Sequence, residues 1–367
     1  MKKYFVMAAL AVSTLTASAQ CVVPKWINNV KLSGFGIVQY TYNGQENNES
    51  NSFNLRLARL ALDGRAFDDW YWKAQVQFNG NTSTLGSSPK LVDLFIEWQK
   101  YDFLRVKAGQ FKNPFTYENP MHPIDQGFMS YSQVISKFAG FSDRAGAHSS
   151  NGRDIGVQLQ GDFLKNASGR NLIHYQVGVF NGQGINVKDV DQQKNIIGGA
   201  WVMPVEGMRL GAFGWIGSYA RKGTSASEGI TNTTLRRLQQ RRYAFSAEYK
   251  VDDWTFRSEY VHSTGYAFAK AMVNTNDASA KDITLSSNGD KSQGVYALVI
   301  APIIKKKCHA KARYDMYQPS KGAEKQRTQY EIGLDYYFNK NICLTGEYAY
   351  IHDRALADPN YSMIDVE

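Results

Sequence analysis

The stretch DDWYWKAQVQFN, residues 68–79, begins with two acidic residues and then alternates apolar with polar side chains. A period of two residues is typical of a β-strand with one apolar and one polar face. The apolar face would carry Trp70, Trp72, Ala74, Val76 and Phe78, and the polar face Tyr71, Lys73, Gln75, Gln77 and Asn79. Such a strand suits the wall of a transmembrane barrel, with lipid on one side and water on the other.

The same alternation recurs along the chain in segments of about ten residues, separated by links that are alternately short and long. The predicted strands are residues 31–43, 52–64, 70–80, 90–100, 103–112, 153–164, 171–182, 195–204, 208–219, 241–251, 254–265, 291–302, 307–318, 327–338, 342–353 and 360–367. Short links at 66–69, 101–102, 205–207, 252–253 and 339–341 are predicted to face the periplasm, and long links at 113–152, 220–240 and 266–290 the outside. Because an even strand number returns the chain to its starting side, the sequence predicts an all-β, sixteen-stranded antiparallel transmembrane barrel.

The first residues have the features of a secretory signal peptide. Lys2 and Lys3 precede a mostly apolar run at 4–16, and the small residues Ala-Ser-Ala occupy 17–19. Cys21 suggests a lipoprotein, but Gln20 stands where a lipobox has a small residue. We therefore expect a signal peptide at 1–19, a single barrel domain at 20–367, and a location in the outer membrane of a Gram-negative cell.

Composition excludes several classes of protein. No run of eighteen or more apolar residues follows the leader, which excludes a helical membrane protein, while an aromatic content of 13% favours an exported all-β chain. Cys21, Cys308 and Cys343 lack metal-ligand spacing, so no disulfide framework, metal site or cofactor is predicted. The formal charge of +9, or +7 without Lys2 and Lys3, favours anionic partners. Nucleic acid is set aside because an exported chain seldom meets it.

Several predicted strands direct cations towards the polar, inward face. The strand at 307–318 forms an inward ladder of Lys307, His309, Lys311, Arg313 and Asp315, and the strand at 103–112 has Arg105 and Lys107 inward. The strand at 52–64 changes phase near Ala58. Either a β-bulge there directs both Arg56 and Arg59 inward, or the strand is simply irregular.

Four segments resemble the phosphate-selective porin O and P family, in the form found in Bacteroidota-like sequences. They are FNLRLARL at 53–60, GQFKNPF at 109–115 followed by Glu118, GRDIGVQ at 152–158 and GVFNGQG at 178–184. The resemblance covers nearly the whole mature chain. It implies a sixteen-stranded barrel, commonly trimeric, with an inward-folded third loop and lumenal Arg and Lys residues that guide anions.

The chain departs from the family pattern in three places. Many members have Arg-Arg where this chain has Arg56-Leu57, and the loop at 113–152 offers Lys137, Arg144 and His148 in place of a lysine-rich constriction. These departures leave phosphate selectivity open. The last strand, 360–367, is shorter than the nine to eleven residues a spanning strand needs and ends on Glu367 rather than an aromatic residue. The resemblance therefore implies that a few residues ending in Phe are missing.

Passage of small anions requires cations spaced closely enough that an ion leaving one is attracted by the next, with binding weak enough for release. The candidate pore residues are Arg56, Arg59, Lys73, Arg105, Lys107, Lys112, Lys311 and Arg313. Alternatively, these cations pair with inward carboxylates and stiffen the wall; the candidates for that pairing are Asp93, Glu97, Asp154, Glu259, Glu331 and Glu347. Phosphate or polyphosphate, outer-membrane lipid, lipopolysaccharide and two further copies of the chain are the expected partners.

Other hypotheses remain at this point. The loop at 113–152 either folds into the pore with its apolar side on the wall or lies on the surface against neighbouring subunits or lipopolysaccharide. The arginines at 236, 237, 241 and 242 either recruit solutes at the mouth, bind lipopolysaccharide phosphates or solvate a loop. The protein as a whole could be a non-selective general porin or a barrel that binds or adheres through its outer loops. An enzyme is not expected, because Gly-x-Ser-x-Gly is absent and no histidine has a serine-hydrolase context.

Overall fold

The structure is a computed structural model that describes residues 26–79, 89–145, 151–225, 230–268, 279–280 and 291–367. The predicted leader at 1–19, Cys21 and His148 lie outside these described residues.

Sixteen antiparallel strands form a closed ring in the described part of the chain. They are β1 Ile27–Asn43, β2 Ser50–Ala66, β3 Trp70–Gln77, β4 Lys90–Tyr101, β5 Leu104–Lys112, β6 Arg153–Lys165, β7 Asn171–Phe180, β8 Asn195–Val202, β9 Met208–Ser225, β10 Ile230–Val251, β11 Trp254–Thr264, β12 Lys291–Ile304, β13 Cys308–Gln318, β14 Arg327–Asn339, β15 Ile342–Asp353 and β16 Asn360–Val366. Each strand pairs with its neighbours in sequence, and residues 40–43 of β1 close the ring against residues 363–366 of β16. Closure pairs the backbone groups that an open sheet edge would leave exposed to lipid.

Three short elements lie outside the ring. Ser279–Ala280 pairs in parallel with β9, while the connection from β5 to β6 contains a 3-10 helix at Pro123–Asp125 and the helix α1 at Gln133–Phe138. The Ser132 hydroxyl caps α1 by accepting a hydrogen bond from the Ile135 amide. None of the described helices is long and apolar enough to cross a membrane.

The sixteen strands predicted from alternation are confirmed, and one predicted loop is corrected. Residues 220–240, expected to be an outer loop, belong mostly to a long hairpin, because β9 continues to Ser225 and β10 begins at Ile230. Polar side chains occupy both faces of this hairpin, so its sequence lacks the apolar alternation that marks a lipid-facing strand. The arginines at 236, 237, 241 and 242 therefore lie on β10.

The two faces of the barrel differ as the alternation predicts. On β3, Trp70 is exposed on the outside while Gln75 is buried inside; on β13, Tyr314 is exposed while Lys311 and Arg313 are buried. Aromatic side chains cluster near the short turns, where Trp254 stacks on Phe256 with ring centroids 5.7 Å apart and Trp26 stacks on Phe67 at 5.1 Å. The apolar outer face and the polar inner face are those of a wall between lipid and water.

A β-bulge interrupts β2, as one of the two sequence hypotheses proposed. Ile37 pairs with Leu57 and Val38 with Leu55, so Arg56 has no partner on β1. The Asn79 side chain accepts from the Ala58 amide at 2.6 Å and donates to the Arg56 carbonyl at 2.9 Å, which satisfies backbone groups that the bulge leaves unpaired. The bulge lies at Arg56, two residues before the predicted position, and brings both Arg56 and Arg59 to the inner face.

Candidate functional site

The connection between β5 and β6, residues 113–152, is hereafter called L3, and its described part, residues 113–145, lies inside the barrel. In its first quarter the Met121 carbonyl accepts a hydrogen bond from Lys112 of β5 at 2.6 Å, and the Met121 sulfur lies 2.6 Å from an Arg257 nitrogen of β11. The next residue, His122, places its ring 4.5 Å from the ring of Phe35 on β1. Because these three strands lie far apart around the ring, L3 crosses the lumen at residues 121–122 and narrows it there.

One side of L3 is apolar and packs on the inner wall. Phe115, Tyr117, Phe128, Ile135 and Phe138 of L3 are buried in one cluster with wall residues of β5 and of β7 to β13. Edge-on ring contacts fix this packing, with Phe115 against Trp215 at 5.6 Å, Tyr117 against Phe213 at 5.5 Å and Phe138 against Tyr317 at 5.6 Å. The wall therefore includes apolar side chains where L3 covers it, although it faces the lumen.

Carboxylates on the same wall bind backbone amides of L3. Glu259 of β11 accepts from the Tyr117 and Glu118 amides at 2.9 and 2.8 Å. Asp315 accepts from the Gln133 amide at 2.7 Å, and Glu347 from the Met129 amide at 2.9 Å. These contacts satisfy amides that the irregular path of L3 leaves without secondary-structure partners.

Cations on the wall bind carbonyl groups of L3 in the complementary way. Lys311 donates to the Gly127 carbonyl at 2.9 Å and Arg313 to the Ser130 carbonyl at 2.9 Å. Arg257 donates to the Gln126 carbonyl and Arg242 to the Phe138 carbonyl. Donors and acceptors thus alternate along the wall and match the backbone of one loop.

The predicted basic ladder on β13 is consequently closed off from the lumen. Lys311 lies 2.7 Å from an Asp335 oxygen and 2.6 Å from a Glu347 oxygen, and Arg313 pairs with Glu331 through two hydrogen bonds. Both cations are almost fully buried beneath L3. Periodicity correctly predicted that they point inward, but it could not predict that a loop covers them.

The other six candidates line a different part of the wall, on β2, β3 and β5. Four of them have carboxylate partners: Arg56 with Glu367 at 2.7 Å, Lys73 with Asp93 at 4.0 Å, Arg105 with Asp162 at 2.5 Å and Lys107 with Glu97 at 3.7 Å. Asp93 also binds Arg153 at 2.6 Å, so its contact with Lys73 is the weaker of the two. Lys107 also lies over the rings of Phe95 and Phe111, 5.1 and 5.3 Å from their centroids.

Arg59 and Lys112 differ from these four. The Arg59 guanidinium donates to Gln77 at 2.8 and 3.0 Å, and the Lys112 ammonium donates to the Met121 carbonyl and to the Tyr131 hydroxyl at 3.5 Å. Within the described ranges, neither cation has a carboxylate oxygen within ion-pair distance. Burying a cation without such a partner is costly, so these two groups favour a mobile anion nearby.

His122, Arg153 and Arg257 contribute to the site but were not among the residues predicted from the sequence. Burial is the main cause that lowers the pKa of His122; Asp125 opposes it, and Lys112, Lys73 and Arg59 each lower the pKa further. Arg153 begins β6 directly before the inward Asp154, so alternation assigned it to the outside. Arg153 reaches Asp93 because it lies at the end of the strand, so the alternation of the sequence does not predict this contact.

Among the described residues, no group of three or more His, Cys, Asp or Glu side chains could hold a metal ion. Cys308 on β13 and Cys343 on β15 are free thiols.

Comparison with solved structures matches the whole barrel. The anion-selective porin from Comamonas acidovorans superposes with a TM-score of 0.59 at 15% sequence identity, covering 92% of this chain and 98% of that one. The outer-membrane channel DcaP of Acinetobacter baumannii gives a TM-score of 0.60 at 14% identity, covering 92% and 96%. The trimer form of OmpT from Vibrio cholerae gives 0.56 at 14% identity, covering 92% and 99%. The fold is therefore that of a sixteen-stranded porin.

Sequence comparison gives a family match over part of the chain. The family model described as phosphate-selective porin O and P matches residues 33–191, a range that contains all four of the motifs noted above. The family predicted from those motifs is thereby confirmed over the matched residues. No curated protein matches the chain. The fold and the family match together indicate an outer-membrane porin.

Proposed function

We propose that this porin lets small anions diffuse passively through the part of the lumen that L3 leaves open. The observation that carries the proposal is the pair of cations without carboxylate partners, the buried Arg59 and the half-buried Lys112, beside the crossing of L3. Arg56, Lys73, Arg105 and Lys107 extend the basic surface along the same side of the wall. We assign Lys311 and Arg313 to holding L3 in place.

The chemistry of these groups supports weak, repeated binding of oxyanions. An arginine guanidinium can donate two parallel hydrogen bonds to a phosphate or carboxylate, whereas a lysine ammonium acts as a point charge. Nearby carboxylates such as Asp93 and Glu97 compete for the cations and keep any one site from binding too tightly, as conduction requires. Phosphate or polyphosphate therefore fits the passage, and the anion selectivity of the Comamonas porin, a protein of the same fold, is consistent with this proposal.

The alternative proposals are a general porin without charge preference and a barrel that acts through its outer loops. We further propose that the protein forms a homotrimer in contact with outer-membrane lipid and lipopolysaccharide. The trimer form of OmpT supports the oligomer, since the two proteins share a fold.

Planar-bilayer recordings of the purified protein in a potassium chloride gradient test the function. We expect a reversal potential that favours chloride over potassium, and a chloride-to-potassium permeability ratio lowered on the order of threefold in the double variant Arg59→Gln, Lys112→Gln, because two uncompensated positive charges are removed.

The matched control is Lys165→Gln, which removes an exposed cation paired with Asp102 near the periplasmic turn. It should leave the permeability ratio unchanged. A cation-selective wild-type channel would refute anion passage. An unchanged ratio in the double variant would show that Arg59 and Lys112 do not contribute to anion selectivity.

A further inference from the structure

Apolar side chains also line the lumen beside the cations. Phe35 of β1 pairs with Arg59 of β2, and two residues further along the same face Ile37 pairs with Leu57. The bulge at Arg56 turns Leu57 inward together with its charged neighbour. The Phe35 ring contacts His122 of L3, which places this face at the crossing of the lumen.

L3 adds a fourth apolar group. Ile124 follows His122 by two residues, and its amide donates to the His122 ring nitrogen at 3.4 Å. The Ile124 side chain is 62% exposed, although L3 buries its other large apolar side chains against the wall. Phe35, Ile37 and Leu57 are half-buried. We call these four residues, Phe35, Ile37, Leu57 and Ile124, the apolar strip.

We propose that the narrow part of this pore favours organic anions with an apolar body, such as aryl or short-chain alkyl monocarboxylates, over small inorganic anions. This inference rests on the proposed anion passage and specifies its substrate class. The carboxylate binds at Arg59 and its basic neighbours while the hydrocarbon body lies on the apolar strip.

The physical reason is a difference in solvation. An inorganic oxyanion gains nothing from an apolar wall and loses part of its hydration beside it. A hydrocarbon body gains free energy in proportion to the apolar area it removes from water. The Phe35 ring, which Arg59 approaches to 6.0 Å, brings the apolar and the cationic surfaces together at one point.

Block of the chloride current by three potassium salts tests the proposal at a fixed neutral pH. Acetate, benzoate and gluconate each carry one carboxylate, but acetate has little apolar surface and gluconate is large and hydroxylated. We expect benzoate to half-block the current at a concentration about tenfold lower than acetate or gluconate does. Gluconate controls for size, since a purely steric block would make it as effective as benzoate.

The variants Leu57→Gln and Ile124→Gln should each reduce the preference for benzoate over gluconate at least threefold and leave the chloride-to-potassium permeability ratio unchanged. The matched control is Tyr266→Gln, which removes an exposed apolar side chain after β11, outside the strip. It should leave the benzoate preference intact. Ile124 is exposed and lies outside the strands, so its substitution does not endanger assembly of the barrel.

The outcomes separate the two proposals. An anion-selective channel in which benzoate blocks no better than gluconate, or in which both variants keep the wild-type preference, overturns the substrate class alone. A cation-selective channel overturns the proposed function itself. Benzoate preference that falls in Leu57→Gln and Ile124→Gln but not in Tyr266→Gln supports both.

Discussion

The charge of the lumen at the crossing of L3 depends on a few ionisable side chains. Arg59, Lys112 and His122 are basic side chains there, and an ordinary imidazole changes its charge near neutral pH. The His122 ring lies against Phe35, and the charged groups around it are Asp125 on L3, Lys112 on β5, Lys73 on β3 and Arg59 on β2. Protonation of His122 would therefore add a positive charge to a region that is already basic.

The lowered pKa of His122 predicts a pH dependence of selectivity. The ring is neutral at pH 7 because burial and three cations lower its pKa below the ordinary 6.5. Its positive charge then appears only as the pH falls below that value, so the chloride-to-potassium permeability ratio should rise as the pH is lowered from about 7 to about 5. Reversal potentials across this range measure the effect.

His122→Gln should abolish the part of the rise that belongs to this ring. Protonation of lumenal carboxylates at lower pH affects the wild type and the variant equally, so their difference isolates His122. A wild type and a variant with superimposable pH profiles would contradict the assignment.

At the scale of elements, L3 and the wall from β10 to β15 act as one unit. Wall carboxylates bind L3 amides and wall cations bind L3 carbonyls, while the apolar side of the loop fills the space between them. Hydrogen bonds to charged groups contribute about 1.5–3 kcal/mol each, so a set of this size holds the loop firmly.

The strands of this fold could be predicted from the sequence because their signal is local. Alternation in residues 70–79 depends only on which side each residue faces, and the bulge near Arg56 left a visible change of phase. The path of L3 could not be predicted in this way. Its partners, such as Glu259 and Arg313, are more than a hundred residues distant, and no periodic pattern relates a loop backbone to them.

The same difference between local and distant contacts decides which parts of the candidate site could be predicted. Alternation predicted that Lys73, Arg105, Lys107, Lys311 and Arg313 face inward, but it could not separate Lys311 and Arg313, covered by L3, from Arg59 and Lys112 at the crossing. That separation depends on where a distant loop lies. The role of His122 could not be predicted for the same reason, because a single histidine in a loop is not part of any periodic pattern.

Loosening L3 without changing the net charge of the lumen tests its anchoring. The double variant Arg313→Gln, Glu331→Gln removes a buried ion pair together with the bond from Arg313 to the Ser130 carbonyl. We expect a larger and noisier single-channel conductance, because L3 narrows the lumen only while it is held in place. The ladder of backbone hydrogen bonds keeps the barrel itself intact.

Limited chymotrypsin digestion provides the second measurement, since Phe128, Tyr131 and Phe138 are cleavage sites that packing now protects. Lys307→Gln, at the exposed turn before β13, is the control and should keep both the conductance and the protection. Wild-type conductance together with undiminished protection in the double variant would show that this pair does not anchor the loop.

At the scale of the whole molecule, the outer surface is uneven. The described residues include two apolar side chains that stand out on the outer face of β1 and β2, Phe53 at 82% and Leu32 at 74% exposure. Between Leu32 and Val38 the same face carries only Gly34 and Gly36, which have no side chain to project. Projecting residues beside a shallow depression form a shape that another protein surface can match more closely than mobile lipid chains can.

We expect copies of the chain to meet at this surface in the proposed trimer. The double variant Leu32→Ala, Phe53→Ala should shift the protein in detergent from trimer to monomer, because it removes the two largest projections while leaving the outer face apolar and the barrel stable. Multi-angle light scattering after size-exclusion chromatography measures the protein mass. The control variant Ile216→Ala, Ile332→Ala truncates two side chains that are each 61% exposed on β9 and β14, and should remain trimeric. A trimer that survives the first change but not the second would place the contact at Ile216 or Ile332 instead, and a monomeric wild type would contradict the proposed trimer.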